Sequence, residues 1–434
     1  MSWLNAYQSR FTSAEKAIRV IESGHRIFLS GNCSVPQQLL SALVDHSRKL
    51  HDVEVVQVLT IGPAPHADLS LEGHLRINNL FIGSNVRQAV HEGRADFTPC
   101  FLSEVPLLFR NRHLPLDAAL IHVSPPDEHG FCSLGIEAGL SKTPAEMAQI
   151  VIAEVNQQMP RTLGDSFIHI SKIDHAVPVD YPLQELHMSK SNELSRRIGR
   201  HVASLIEDGS TLQLGIGAIP DGVLHYLEDK KDLGVHTELF SNGVMELVLK
   251  GVITNEKRSI HPGKITAGFI IGTKELYDFV DDNPIIDLHP TEYVNDPFII
   301  SRNDRMVSIN SAIEVDLTGQ VCADSIGTKL YSGVGGQLDF IYGASRSKGG
   351  KPVIALPSTV TTRDNKTISR ITARLQPGAG VVTTRNHVHY VVTEHGIAEL
   401  YARSIRERAR ALIQIAAPEF QENLEKKASE LGYL

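Results

Sequence analysis

The chain has 434 residues, too long for one ordinary hydrophobic core, so two or three domains are expected. Hydrophobic residues make up 42% and charged residues 21%, the balance of a globular protein, and a net charge of −8 argues against nucleic acid as the main partner. The four cysteines (Cys33, Cys100, Cys132 and Cys322) are far apart and form no CxxC pair. That sets aside a disulfide framework and a zinc site and fits a reducing compartment.

Met1–Glu22 reads as an amphipathic helix with Ser13 as a candidate cap. No secretory h-region and no membrane-length apolar run is visible, so a cytoplasmic protein without a membrane partner is expected. A strand at Arg26–Ser30 leads into Gly31-Asn32-Cys33-Ser34-Val35-Pro36 and a helix carrying Leu39, Leu40 and Leu43, and a further strand covers Val53–Leu59. More strands are expected at Leu80–Ile82, Ala118–Val123 and Ile150–Val155. Ser124–Gly130 is a Pro- and Gly-rich loop, Asn156, Met159 and Pro160 follow a strand end, and Asp180–Lys190 lacks periodicity and reads as a linker.

The second half opens with a helix through Ile206. It is followed by LQLGIGAIPDGVLHYLEDKKDLGVHTELFSNG, Leu212 to Gly243. Leu212–Leu214 close a strand, Gly215-Ile216-Gly217-Ala218 turn the chain, and Pro220 fits a first helical position because its missing N–H is an orphan there. Gly31, Pro36, Leu39, Leu40 and Leu43 match Gly215, Pro220, Val223, Leu224 and Leu227 at one offset, so two similar α/β halves are expected. Glu238 falls near the end of the next strand, before a turn at Ser241-Asn242-Gly243. In open α/β sheets ligands collect outside the carboxyl ends of strands, so the glycine turn and this carboxylate are expected to face one crevice. Later strands are expected at Met306–Val315, Val353–Leu356, Gly380–Thr383 and Tyr390–Thr393, with a glycine-dense loop at Ser332–Phe340, a basic loop at Ala344–Lys351 and a charged helical tail over Ser404–Leu434.

Each chemical motif has a plainer reading. Gly215-Ile216-Gly217 opens like a dinucleotide fingerprint but lacks the third glycine; it reads as a tight turn or as a nest of N–H groups for an anion or oxyanion. Gly343–Lys351 has the wrong spacing for a triphosphate loop, although Ser345, Arg346, Lys348 and Lys351 could meet a phosphorylated ligand. His387, His389 and Glu394-His395 form no HExxH motif, and no GxSxG elbow appears, which lowers metal and serine-hydrolase readings. Among the strand carboxylates, Glu238 and Glu314 both remain open as a nucleophile on pattern alone.

QLGIGAIP (Gln213–Pro220), HTELFSNGV (His236–Val244), DSIGTKLYSGVGGQLDF (Asp324–Phe340) and VVTEHGIAEL (Val391–Leu400) resemble the acetyl-CoA hydrolase/transferase family. The closest branch is that of 4-hydroxybutyrate and butyryl-CoA:acetate CoA-transferases, which SPPDEHGFCSLG (Ser124–Gly135) and AEVNQQMPRTLGD (Ala153–Asp165) also match. The resemblance implies two CoA-transferase-like α/β domains, about 1–185 and 191–434, with the active site in the crevice between them. It places the nucleophile on Glu238, in the H-[ST]-E segment, and so decides against Glu314. It implies CoA contacts at Gly215, Ile216, Gly217, Ala218, Ile219, Ile313, Gly335 and Gly336. Gln213 then lies beside the reacting acyl group, with Gly217 and Ala218 at the substrate oxyanion. CoA is a substrate, no metal or tightly bound cofactor is implied, and a homo-oligomer acting on acyl-CoA and short-chain carboxylic acids is expected. A hydrolase using the same Glu238 is the near alternative, and a non-catalytic CoA-binding regulator the distant one. Some relatives carry histidine where this chain has Gly31, so acid specificity does not transfer.

Overall fold

The computed structural model describes residues 7–187, 191–362 and 364–434. Met1–Ala6 of the expected first helix and residues 188–190 of the expected linker lie outside them. The described part of the N-terminal segment is not one helix. A 3-10 turn at Gln8–Arg10 precedes a short helix at Ala14–Ala17, with Ser13 as its extended N-cap, and a second 3-10 turn at Ile18–Val20.

Contacts divide the chain into two compact units. One takes the described residues up to His187 together with Glu238–Asn242 and Thr266–Val294; the other takes the described residues from 191 to 237, Gly243–Ile265 and Asn295–Leu434. Seven strands build the first sheet: β1 (Arg26–Leu29), β2 (Val53–Gln57), β3 (Leu75–Asn79), β4 (Ala95–Phe97), β5 (Ala118–Val123), β6 (Ile150–Asn156) and β7 (His175–Val179). Their order is β4-β3-β2-β1-β5-β6-β7, and every neighbouring pair is parallel. Parallel sheets are covered on both faces, which is why β5 reads AALIHV and is buried at every position.

The second sheet has β8 (Thr211–Leu214), β9 (Gly234–Phe240), β10 (Ile265–Ile270), β11 (Ile286–Leu288), β12 (Met306–Ser311), β13 (Lys351–Ala355), β14 (Tyr390–Thr393) and β15 (Gly396–Glu399). Its order is β11-β10-β9-β8-β12-β13-β14-β15, the order of the first sheet with one antiparallel edge strand added. The two halves expected from the paired glycine turns are therefore two copies of one topology. In each copy the chain starts at a central strand, lays strands outward on one side, then returns to the other. The reversal makes a topological switch point between β1 and β5 and another between β8 and β12.

Several expected elements fall elsewhere. Leu80–Ile82 is not a strand; β3 stops at Asn79, and Leu80 and Ile82 are apolar because they are buried in the loop that follows. Met306–Val315 is two elements: β12 ends at Ser311, and Glu314–Asp316 belongs to a separate three-stranded sheet. Gly380–Thr383 contributes only an isolated bridge, Val321 to Thr383. The basic segment is not a loop throughout: helix Gln337–Arg346 runs into it and β13 begins at Lys351. The tail is helical as expected, as Ile405–Gln414 and Pro418–Glu430, and packs Ala409, Leu412, Ile413, Leu424 and Ala428 into the core beside β13 and β14.

Candidate active site

The loop after β8 is organised around Gly217, which adopts φ +122° and caps the helix α1 (Ala218–Leu224). That backbone region is closed to most side chains. Helix α1 starts two residues before Pro220, so the proline occupies the third helical position. Its missing N–H costs nothing there, because none of the first four amides of a helix has an internal acceptor. Helix α1 packs closely against the helix Glu193–Ser204: a Cβ on Gly199 would lie 2.2 Å from the Gly222 carbonyl oxygen. The amides of Ile216, Gly217, Ala218 and Ile219 donate to no protein acceptor among the described residues. Gln213, nearly fully buried on β8, accepts from Asn310 Nδ2 at 3.1 Å.

The Gly-dense loop behaves alike. Gly335 has φ +58°, Gly336 caps helix Gln337–Arg346, and the amides of both glycines donate to no protein acceptor among the described residues. Ile313 lies between β12 and the small sheet, half-buried, with its N–H bonded to Cys322 O at 2.8 Å.

Glu238 is the fifth residue of β9, and in that strand it is the one residue that is not buried. Residues alternate across a strand, so it shares a face with His236. His236 is fully buried; its Nδ1 accepts from Arg258 Nη2 at 3.1 Å and its ring meets Phe340 edge-on. No turn follows β9 at Ser241–Gly243: helix Asn242–Leu249 begins there directly. Glu314, the competing carboxylate, is buried. Its Oε1 accepts from Gln376 N at 2.9 Å, and burial holds its carboxyl above the usual carboxylate range. That bond ties it to the loop at Gln376.

The helix that follows β1 starts on a carboxylate of the protein itself. Glu154 Oε1 accepts from Leu39 N at 2.6 Å at the start of helix Gln37–Ser47, and Tyr181 donates to the other carboxylate oxygen. Burial pushes Glu154 up to about 7. Glu137, fully buried, accepts from Asn32 Nδ2 and from Leu140 N, and burial pushes it up to about 7 as well. Gly31 has a steric reason: a Cβ there would lie 2.3 Å from Leu59 O, so any side chain requires the segment after β2 to shift.

The basic and histidine-rich motifs have partners within the protein. Lys351 Nζ is committed to Glu207 at 2.6 Å and Leu205 O at 2.8 Å. His387 and His389 precede β14 and do not share a strand face; His387 pairs with Thr384 and His389 packs on Tyr401. Among the described residues no group of three or more His, Cys, Asp or Glu could hold a metal ion, and no helix is long and apolar enough to cross a membrane. Residue patterns missed Asn310, Glu137 and Glu154. Glu154 left a signal as an acid inside the apolar run IVIAEV, and Asn310 as the polar end of an apolar strand. Asp221, in the first turn of α1, was missed too: burial, then the charge of Glu246, pushes it up to about 6.

Fold and site together define an α/β enzyme. The chain belongs to the acetyl-CoA hydrolase/transferase family: the family's N-terminal domain matches residues 2–186 and its C-terminal domain residues 272–428. It is 52% identical to a 4-hydroxybutyrate coenzyme A transferase of Clostridium kluyveri, over 98% of both chains. It is 36% identical to a butyryl-CoA:acetate CoA-transferase of Anaerostipes caccae, over 99% of this chain and 98% of that one. The crystal structure of a 4-hydroxybutyrate CoA-transferase from Porphyromonas gingivalis superposes with a TM-score of 0.85 at 41% identity, covering 99% of this chain and 100% of that one. The protein is accordingly an enzyme of the CoA-transferase class, and coenzyme A enters the family's reaction as a substrate.

Proposed function

We propose that this CoA-transferase moves CoA from an acyl-CoA of the acetyl or butyryl type to a short-chain carboxylic acid such as 4-hydroxybutyrate, through a thioester on Glu238. The observation that carries the reading is that Glu238 alone is partly exposed in an otherwise buried strand. A carboxylate is a weak nucleophile and needs both placement and charge stabilisation. Glu238 attacks the thioester carbonyl, forming an acyl-glutamyl anhydride and releasing CoA thiolate. The thiolate attacks the glutamyl carbonyl, expels the first acid as its carboxylate and leaves glutamyl-CoA. A second carboxylate enters and the steps reverse.

Each addition puts negative charge on a former carbonyl oxygen. The unused amides of Ile216 to Ile219 and of Gly335 and Gly336 are the donors we assign to CoA and to that charge, with Gln213 beside the acyl group. A well-placed oxyanion donor is typically worth about 3 kcal/mol of barrier. Binding energy from the CoA nucleotide, remote from the chemistry, can be used to force the acyl end into position. The apolar surface expected of two paired halves also supports a homo-oligomer.

The test is direct. Incubation with acyl-CoA in the absence of an acceptor acid is expected to leave CoA on Glu238, cleavable by hydroxylamine and located by intact-mass and peptide mapping. Label on Glu314, or on a serine or cysteine, would overturn the assignment. Turnover with and without an acceptor acid separates transfer from hydrolysis.

A further inference from the structure

We propose that Asn310 is a positioning residue for Gln213: across β8 and β12 it turns the Gln213 amide so that the NH2 group, and not the carbonyl, faces the reacting oxygen. The inference rests on the reading of Gln213 as the residue beside the acyl group.

The register supplies the geometry. In the parallel pair β8–β12, Gln213 stands opposite Ser308 and Leu214 opposite Ile309. Asn310 is two residues beyond Ser308, so it lies on the same face as Gln213, one pleat closer to the carboxyl edge. Gln213 therefore reaches forward to meet it, and the Asn310 Nδ2 to Gln213 Oε1 bond of 3.1 Å directs the amide toward the strand ends. Burial changes along β12 at this point: Met306 to Ile309 are buried, Asn310 is half-buried and Ser311 is exposed.

The alternatives for each amide are few. On the other side of Asn310 stands Ile354 of β13, fully buried and apolar. Ser308 Oγ, directly opposite Gln213, is buried without a partner and does not engage the amide. Gln213 Nε2 donates to no group among the described residues. With its carbonyl oxygen engaged, the glutamine is left with two N–H donors. An ionised carboxylate and a thioester carbonyl are both acceptor-only groups. An amide turned the other way would present its own oxygen to them and repel the substrate. Asn310 thus sets the polarity of the site, selecting acceptor oxygens over donors without touching them.

A double-mutant cycle tests this. Steady-state kinetics would be measured for Asn310→Ala, Gln213→Met and the double variant, with acetyl-CoA and a short-chain acid as the pair, alongside thermal melts. Asn310→Ala is expected to raise the KM for the acid and lower kcat/KM about tenfold, the scale of one directed hydrogen bond, with little change in Tm. In the Gln213→Met background the same substitution is expected to add nothing. Asn310→Asp, which can only accept, is expected to draw Nε2 to itself and cost more than Asn310→Ala. If Asn310→Ala loses its fold, the near-isosteric Asn310→Asp carries the cycle, with its loss abolished by Gln213→Met. Additive losses, or an unchanged KM, overturn the proposal. Formation of the Glu238–CoA adduct by the wild type is scored in parallel: its absence would overturn the nucleophile reading, whereas an adduct with additive losses overturns only the role of Asn310.

Discussion

At the scale of single residues, the contrast between Glu238 and Glu314 is one of burial. Glu314 is engaged with Gln376 and buried. Glu238 is half-buried in an otherwise buried strand. Shortening Glu238 by one methylene keeps its charge and withdraws the carboxylate, and a misplacement of about 1 Å can cost 10²-fold. In Glu238→Asp, direct attack on the thioester becomes hard, while the gap admits a water for which the aspartate can act as general base. Transfer between acids is expected to fall sharply, with acyl-CoA hydrolysis falling less or rising. The ratio of hydrolysis to transfer, measured on one substrate pair in wild type and variant, is the readout. An unchanged ratio means that water entry does not limit the wild-type enzyme.

At the scale of elements, the two glycine turns have opposite fates. The helix after β1 begins on a buried protein carboxylate, Glu154, whereas the loop after β8 leaves its amides unused. Nearby Glu137 belongs to the filled version, and its burial has a thermodynamic consequence. Its carboxyl rises from 4.5 to about 7 in the folded state. Between those values the unfolded chain gives up its proton and the folded one keeps it, so stability is fully present below the unfolded value and is lost as pH rises toward 7. The contribution is on the order of 3 kcal/mol. Glu137→Gln is expected to flatten the dependence of Tm on pH between about 4.5 and 7, leaving the part due to Glu154. Melts at half-unit pH steps check this. A slope equal to that of the wild type would mean that Glu137 ionises normally in the folded protein.

At the scale of the whole molecule, one strand order is used twice, and the second copy is completed by the C-terminal helices. Ala409, Leu412, Ile413, Leu424 and Ala428 are nearly fully buried in the cluster that includes Ile354, Val391 and Leu400. Burying a large aliphatic side chain is worth about 1.5–3 kcal/mol, so removing several of them exceeds the net stability of a typical domain. Truncation after Arg403 is therefore expected to abolish cooperative unfolding and yield aggregated protein. A truncated chain with a sharp thermal transition would show that the second core closes without these helices.

What the sequence determined by itself is what depends on local order along the chain. The central strands, the paired glycine turns and the loop Ser124–Gly130 follow from periodicity and from turn chemistry, and β5 and β14 occupy the expected residues. The family was legible because several motifs recur together over nearly the whole chain. Tertiary structure decided what depends on neighbours distant in sequence. Burial in a loop made Leu80 and Ile82 look like a strand, and a change of sheet split Met306–Val315 in two. Gly31 is required by the Leu59 carbonyl 28 residues away, and Asn310 meets Gln213 across 97 residues of sequence. Such contacts arise only when parallel strands far apart in sequence are brought side by side in the folded sheet, because a parallel pair is joined by a long crossover and not by a local turn.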